Sequence, residues 1–301
     1  MVEPRKPSLA SNTLVESLPP PADCGRGVLT LLGGLQTGRV LCLSSGPSVT
    51  IGRSETCSHR IEEASVSGTH ARIVAASGQY LLVDENSTNG TFVDGKRVTE
   101  PVVLHDGDRV QLGPLTFMRF ALVSEAEERA LKTMYESAHR DGLTGAFNRK
   151  HLEERLDTEL AFALRHDSDL AVILIDVDHF KGVNDEHGHL VGDAVLKEIV
   201  ALLGRSVRTE DVVARFGGEE FVIVARQITV STAYAVADRI RQAIMQAVVV
   251  VGSKQVRVTV SAGVASLRCC GARRDKASLL QIADRRLYRA KELGRNRVVG
   301  P

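Results

Sequence analysis

A chain of 301 residues has room for about two domains, each with its own buried core. Its 38 basic and 37 acidic side chains leave a formal net charge of +1, which excludes a global field that recruits nucleic acid or an anionic membrane. Apolar runs such as 247–251 are far too short to span a bilayer, and no signal peptide is recognisable, so a cytoplasmic protein is expected.

Residues 1–26 read as a disordered tail, because Pro4, Pro7, Pro19, Pro20 and Pro21 interrupt a polar segment containing Ser8, Ser11, Thr13 and Ser17. Thr13 is the tail's one threonine. It is a possible phosphosite whose phosphorylated form could dock on the chain's own or a partner subunit's next domain, or the tail is an inert spacer. From 27 to 120 the pattern becomes short β runs punctuated by Gly- and Asn-rich turns, with strands expected over 28–32, 39–43, 49–51, 70–74, 80–84, 91–93, 109–112 and 115–120. Such regular short strands predict a β-sandwich. Over 121–140, Val123, Ala130, Leu131, Met134 and Ala138 recur near helical spacing among charges, which predicts an amphipathic linker helix. It either forms a coiled-coil dimer seam or packs singly on a neighbouring domain. From 141 to 301 strands alternate with helices: a helix over 148–165, a strand ending at Asp176, a helix over 192–205, a hairpin, a helix over 232–246, a strand over 256–265 and a last helix from Leu279. The expected class is α+β. The five cysteines (Cys24, Cys42, Cys57, Cys269 and Cys270) are odd in number and lack metal spacing, so reduced thiols are expected.

The hairpin is the most informative segment. Val212-Val213-Ala214 leads into Arg215-Phe216-Gly217-Gly218-Glu219-Glu220, and Phe221-Val222-Ile223-Val224 leads out. A Gly-Gly pair permits positive φ and keeps side chains away from an arriving ligand. Two adjacent carboxylates there call for a cation, and the acidic strand end Asp176-Val177-Asp178 can supply the other half of a metal site. Metal-assisted chemistry on a phosphate is the reading.

Gly217-Gly218-Glu219-Glu220-Phe221 resembles the signature of the GGDEF family, the diguanylate cyclases, with Glu at the third position. Asp141-Gly142-Leu143-Thr144, the segment from Asp176 to Asp193 and Tyr288 to Asn296 resemble the family's opening, nucleotide and closing motifs in the right order, over roughly half the chain. The resemblance implies that Asp176, the Val177 carbonyl and Glu219 hold two Mg²⁺ ions (Mn²⁺ being an alternative), with Glu220 near the attacking 3′-hydroxyl of GTP. It assigns guanine to Asn184 and Asp193, the triphosphate to the backbone at Phe180 and Lys181 with Lys291 and Arg295, and product inhibition to Arg208 and Asp211. Catalysis then needs a homodimer, because each site holds one of the two GTP molecules condensed to cyclic di-GMP.

The sandwich resembles the forkhead-associated (FHA) domain through Gly52-Arg53, Ser67-Gly68-Thr69-His70 and Asn86-Ser87-Thr88-Asn89-Gly90-Thr91. This implies phosphothreonine binding by Arg53 and Ser67, peptide contact by Asn89 and an internal brace from His70. Gly68 departs from the family, which often has Arg or another long polar residue there. Two other readings stand beside a phosphorylation-regulated cyclase: a catalytically silent cyclic di-GMP receptor acting through Arg208 and Asp211, and a phosphorylation-dependent scaffold.

Overall fold

The computed structural model describes residues 25–33, 36–44, 46–76, 78–208 and 210–301. The proline-rich tail, Thr13 and Cys24 lie outside the described residues. The chain divides into two compact units, one ending at Glu136 and the other beginning at Ser137.

The first unit is a two-sheet β-sandwich. Its strands are β1 (Arg26–Leu31), β2 (Val40–Cys42), β3 (Ser48–Gly52), β4 (His59–Arg60), β5 (Ala71–Ala76), β6 (Gln79–Asp84), β7 (Thr91–Val93), β8 (Lys96–Arg97), β9 (Val102–Leu104), β10 (Arg109–Leu112) and β11 (Thr116–Val123). One sheet runs β2-β1-β11-β10-β7-β8 and the other β4-β3-β5-β6-β9. Alternate residues point between the sheets and form one core, with Leu29, Leu41, Ile51, Ile73, Leu82, Leu112, Met118 and Phe120 fully buried. The short strands β4, β8 and β9 were not expected, since two or three residues carry no period to read. Strand β11 runs on to Val123, so the linker helix α1 (Glu125–His139) starts four residues later than the pattern implied. Its start follows from a capping box: Ser124 Oγ accepts from the Glu127 N–H (3.2 Å) while Glu127 accepts from the Ser124 N–H (2.8 Å).

The expected apolar seam of α1 does not form its buried face. Val123 belongs to β11, Ala130 and Ala138 are exposed, and Met134 is 69% exposed. The residue of α1 that is buried is Glu128, which receives Arg26 from β1 (3.3 Å), Lys132 (2.9 Å) and the Cys42 thiol. Burial works to raise its carboxyl pKa, but those three donors win and the net shift is downward.

The second unit is a five-stranded sheet flanked by helices. Its order is β13 (Val212–Arg215), β14 (Glu220–Arg226), β12 (Leu170–Val177), β17 (Val260–Ser266) and β18 (Val298–Val299), with β18 parallel to β17 and the other pairs antiparallel. Central β12 is buried at all eight positions, as its unbroken apolar run requires. Alternation along β12 divides the interior into two cores. Ala171, Ile173, Ile175 and Val177 pack with α4 (His189–Ser206) and α5 (Val230–Gln246). Leu170, Val172 and Leu174 pack with α2 (Arg149–Arg165) and α6 (Lys276–Glu292). By the same parity Asp176 belongs to the α6 side, where Lys291 lies.

Gly263 sets how closely α6 approaches the sheet. A Cβ there would lie 2.0 Å from the Ala283 carbonyl oxygen, so no larger residue permits that packing. Helix α3 (Phe180–His187), the hairpin β15 (Val249–Val251) and β16 (Lys254–Val256), and β18 were not expected from sequence. The strand predicted over 256–265 is observed as β17, beginning at Val260.

Candidate functional sites

The acidic strand ends meet where β12 and β14 leave the sheet. Asp176 is paired in register with Glu220, and the Val177 N–H donates to the Glu219 carbonyl (3.2 Å). The reason for the two glycines differs from the one first inferred. Neither Gly217 nor Gly218 has positive φ. A Cβ at Gly217 would lie 2.6 Å from Glu220 Oε2, the end of a side chain free to swing aside. Gly218 opens onto free space, and its carbonyl accepts from both Nε (3.1 Å) and a terminal nitrogen (2.5 Å) of Arg215.

Arg215 also pairs with Asp141 (3.0 and 3.2 Å), which accepts from the Thr144 N–H (2.9 Å) and hydroxyl (2.6 Å). The Asp141-to-Thr144 motif therefore acts as a clamp on the glycine hairpin. Sequence reasoning found both motifs but not this link. The signal available was an unassigned Arg immediately before the hairpin and an unassigned Asp opening the domain.

Lys291 reaches down from α6 to Asp176, at 2.7 Å. Burial raises the Asp176 carboxyl above its ordinary value, and the Lys291 ammonium only partly offsets it. Glu219 is raised for the same first reason, with the Asp176 charge adding to it. The cleft thus holds more negative charge than one ammonium neutralises. Asp176, the Val177 carbonyl and Glu219 form an all-oxygen donor set, which suits a hard divalent cation. Among the described residues no three His, Cys, Asp or Glu side chains are grouped at metal-holding distances. The donors fit a cation in kind, with Lys291 standing on the chief carboxylate.

Helix α3 starts directly above this cleft in sequence, with His179 at φ 56° as its N-cap and no side chain bonding its first turn. The N–H groups around Phe180 and Lys181 therefore face no side-chain cap, the arrangement that suits phosphate oxygens. The Phe180 ring itself is buried in the core and Lys181 is exposed. Asn184 of α3 lies against Gly192 of α4, the residue before Asp193. A Cβ at Gly192 would lie 2.0 Å from Asn184 Oδ1, so glycine next to Asp193 makes room for that amide.

Arg208 and Asp211 share a tight turn before β13. Asp211 Oδ2 accepts from the Arg208 N–H (3.0 Å), and the Asp211 N–H donates to the Arg208 carbonyl (3.1 Å). Burial raises the Asp211 carboxyl, while the Arg208 side chain is exposed. The aspartate thus fixes the loop and leaves the guanidinium outward.

In the sandwich, Arg53 and Ser67 are neighbours: the Arg53 N–H donates to the Ser67 carbonyl (2.9 Å), and Arg53 Nε donates to the Val66 carbonyl (3.2 Å). Ser67 Oγ accepts from the Thr88 N–H (3.0 Å), and the Asn89 amide donates to the Ser65 carbonyl (2.8 Å), so the two loops are stitched together. His70 is fully buried. Its Nδ1 accepts from the Ser67 N–H (3.0 Å), which leaves Nε2 to donate to the Gly90 carbonyl (3.2 Å). Burial lowers its pKa and favours that neutral form. Asp84 supports the Asn-rich loop by accepting from Ser87 and Thr91. A Cβ at Gly68 meets nothing within 4 Å, so the position that departs from the family pattern is open space.

The second unit is similar in fold to solved GGDEF domains. The coiled coil and GGDEF domain of DgcB from Caulobacter crescentus, in complex with c-di-GMP, superposes with a TM-score of 0.52 at 30% identity, covering 58% of this chain and 92% of that one. Diguanylate cyclase SiaD from Pseudomonas aeruginosa, in complex with its activator SiaC, gives 0.52 at 35% identity, over 58% of this chain and 66% of that one. Residues 138–297 match the family model for the diguanylate cyclase GGDEF domain, and the chain belongs to that family. Residues 49–113 match the FHA domain model. Among curated relatives, the probable diguanylate cyclase DgcT of Escherichia coli is 38% identical over 175 residues, and diguanylate cyclase DgcP of Pseudomonas aeruginosa is 39% identical over 168. Each match covers 56% of this chain, but only 37% of DgcT and 25% of DgcP.

Proposed function

We propose that the protein condenses two GTP molecules into cyclic di-GMP and two pyrophosphates, under the control of a phosphothreonine-reading FHA domain. The observation that carries this reading is the juxtaposition of Asp176 and Glu219, both with raised pKa, beneath Lys291. Asp176, the Val177 carbonyl and Glu219 would hold two Mg²⁺ ions, which supply charge neutralisation at the triphosphate and its attacking and leaving oxygens.

The chain's own residues do the rest. Lys291 transfers from Asp176 to the triphosphate, and Arg295 joins it there. The N–H groups at the start of α3 bind phosphate oxygens, and Asn184 with Asp193 accepts the guanine N–H donors. Glu220 lies beside the cleft where the 3′-hydroxyl of the second GTP arrives. That hydroxyl attacks the α-phosphorus, its proton passes to Glu220 or to water, the bond from the α-phosphorus to the bridging oxygen breaks, and pyrophosphate departs. A second, reciprocal attack closes the ring, so two such domains must face each other and the active species is a homodimer. The exposed Arg208 guanidinium, beside a fixed Asp211, suits a guanine edge or phosphate of the product and is the basis for product inhibition. In the sandwich Arg53 and Ser67 would hold the phosphate and Asn89 the peptide, phosphorylated Thr13 or a partner's phosphothreonine being the ligand.

The test is conversion of GTP by the purified chain with Mg²⁺, beside the double variant Glu219→Ala/Glu220→Ala. Cyclic di-GMP from the wild type alone supports the reading. Equal product from both proteins, or none from a wild type forced to dimerise, contradicts it.

A further inference from the structure

The strand end Asp176-Val177-Asp178 carries two carboxylates, and they do different things. Asp176 meets Lys291 across the cleft. Asp178 is 5% exposed and both of its oxygens are engaged. Its Oδ1 accepts from the Ser261 hydroxyl (2.7 Å), and its Oδ2 accepts from the Thr259 hydroxyl (2.7 Å) and the Asn296 N–H (3.0 Å). Its own N–H donates to the Thr259 carbonyl (2.9 Å). One side chain thus ties the end of β12 to the start of β17 and to the turn that follows α6.

That turn is unusual in its backbone. Gly294, Arg295 and Asn296 have φ values of 108°, 59° and 44°, three consecutive residues in the region that L side chains avoid. Such a conformation persists only where its surroundings hold it. Asn296 is held from two sides, since its Oδ1 also accepts from Arg241 of α5 (3.1 Å). The Arg295 N–H donates to the Ala290 carbonyl (3.1 Å), so the turn continues directly from the helix end that carries Lys291. The Arg295 side chain is exposed, and its charge is felt at Asp176.

We propose that Asp178 is a positioning residue for the nucleotide: its carboxylate holds the left-handed turn that presents Arg295 to the triphosphate, and it is not a cation ligand. This inference rests on the cyclase reading and deepens it. When the carboxylate becomes an amide, its charge and one of its two acceptor oxygens are lost, so the bond to the Asn296 N–H is weakened and the turn relaxes toward ordinary φ, carrying Arg295 away. Asp176 and Glu219 stay in place, so binding suffers and the chemical step does not.

The experiment is steady-state kinetics of the full chain with GTP and Mg²⁺. Asp178→Asn should raise KM by about tenfold with kcat little changed, the pattern of lost substrate binding. In an Arg295→Ala background the same substitution should add almost nothing to KM, because both act through one side chain. Thr259→Val, nearly isosteric, removes one donor to Asp178 and should move KM in the same direction by less, which keeps the test open if Asp178→Asn does not fold. A loss of kcat at unchanged KM in Asp178→Asn, or effects of Asp178→Asn and Arg295→Ala that multiply fully, would overturn the inference while leaving the cyclase intact. A wild type that does not turn GTP into cyclic di-GMP would overturn the cyclase reading and this inference with it.

Discussion

Lys291 and Asp176 form the contact on which the cleft's electrostatics turn, at 2.7 Å. Asp176 and Glu219 are both raised by burial, so their charged forms, the ones a divalent cation needs, fill at higher pH than those of ordinary carboxyls. Lys291 opposes that rise at both groups. Its removal must push both carboxyls further up. Lys291→Met should therefore move the acid limb of the kcat/KM profile, which reports the free enzyme, to higher pH, in addition to raising KM for GTP. A limb that stays in place or moves to lower pH would contradict the assignment. Asp176, Glu219 and Glu220 stood out as candidates in the sequence because they flank apolar strand runs. What was not legible was the division of labour between Asp176 and Asp178. It depends on Thr259, Ser261 and Asn296, which stand about 80 to 120 residues further along the chain. The glycines were found for a partly wrong reason, since neither takes positive φ while Gly218 does open onto free space.

At the scale of elements, the start of α2 shows how a buried base ties local packing to pH. The Asn148 side chain caps α2 by accepting from the His151 N–H (2.9 Å). The His151 ring stacks on Phe147 with centroids 4.2 Å apart and meets the His139 ring edge-on at 5.3 Å. Burial, followed by the charge of His139, lowers its pKa to about 4. A base depressed from 6.5 to about 4 contributes stability that is complete above pH 6.5 and is lost as pH falls through the interval between the two values. The second unit should lose on the order of 3 kcal/mol across that interval from this group. Thermal melts of wild type and His151→Phe between pH 7 and 4 check this, and the variant should show the shallower fall. Long, strongly periodic elements such as α2 and α5 were legible within a few residues. The two- and three-residue strands β4, β8, β9 and β18 were not, because their existence depends on the partner strand and not on any local period. Helix α1 was misread at its start because β11 continues its alternation to Val123.

For the whole molecule, the proposed function joins a sandwich that matches the FHA domain to a domain of the GGDEF family. The Arg53, Ser67 and Asn89 loops are already stitched together, so little ordering is needed on binding. A phosphothreonine peptide spanning residues 8–18 should bind the full chain, its unphosphorylated form should not, and Arg53→Ala should weaken binding by about tenfold or more. Fluorescence anisotropy of the labelled peptide reads this directly, and equal binding of the two forms would remove phosphate from the account. The domain types were legible because several motifs agreed in order.

The most direct measurement is the specific rate of cyclic di-GMP formation from GTP and Mg²⁺ as a function of protein concentration, with pyrophosphate counted alongside. The account predicts two pyrophosphates per cyclic di-GMP and a specific rate that climbs with protein concentration before levelling as the domains pair. GTP left unchanged, GTP hydrolysed to GDP, or a specific rate independent of protein concentration down to fully monomeric protein would contradict it.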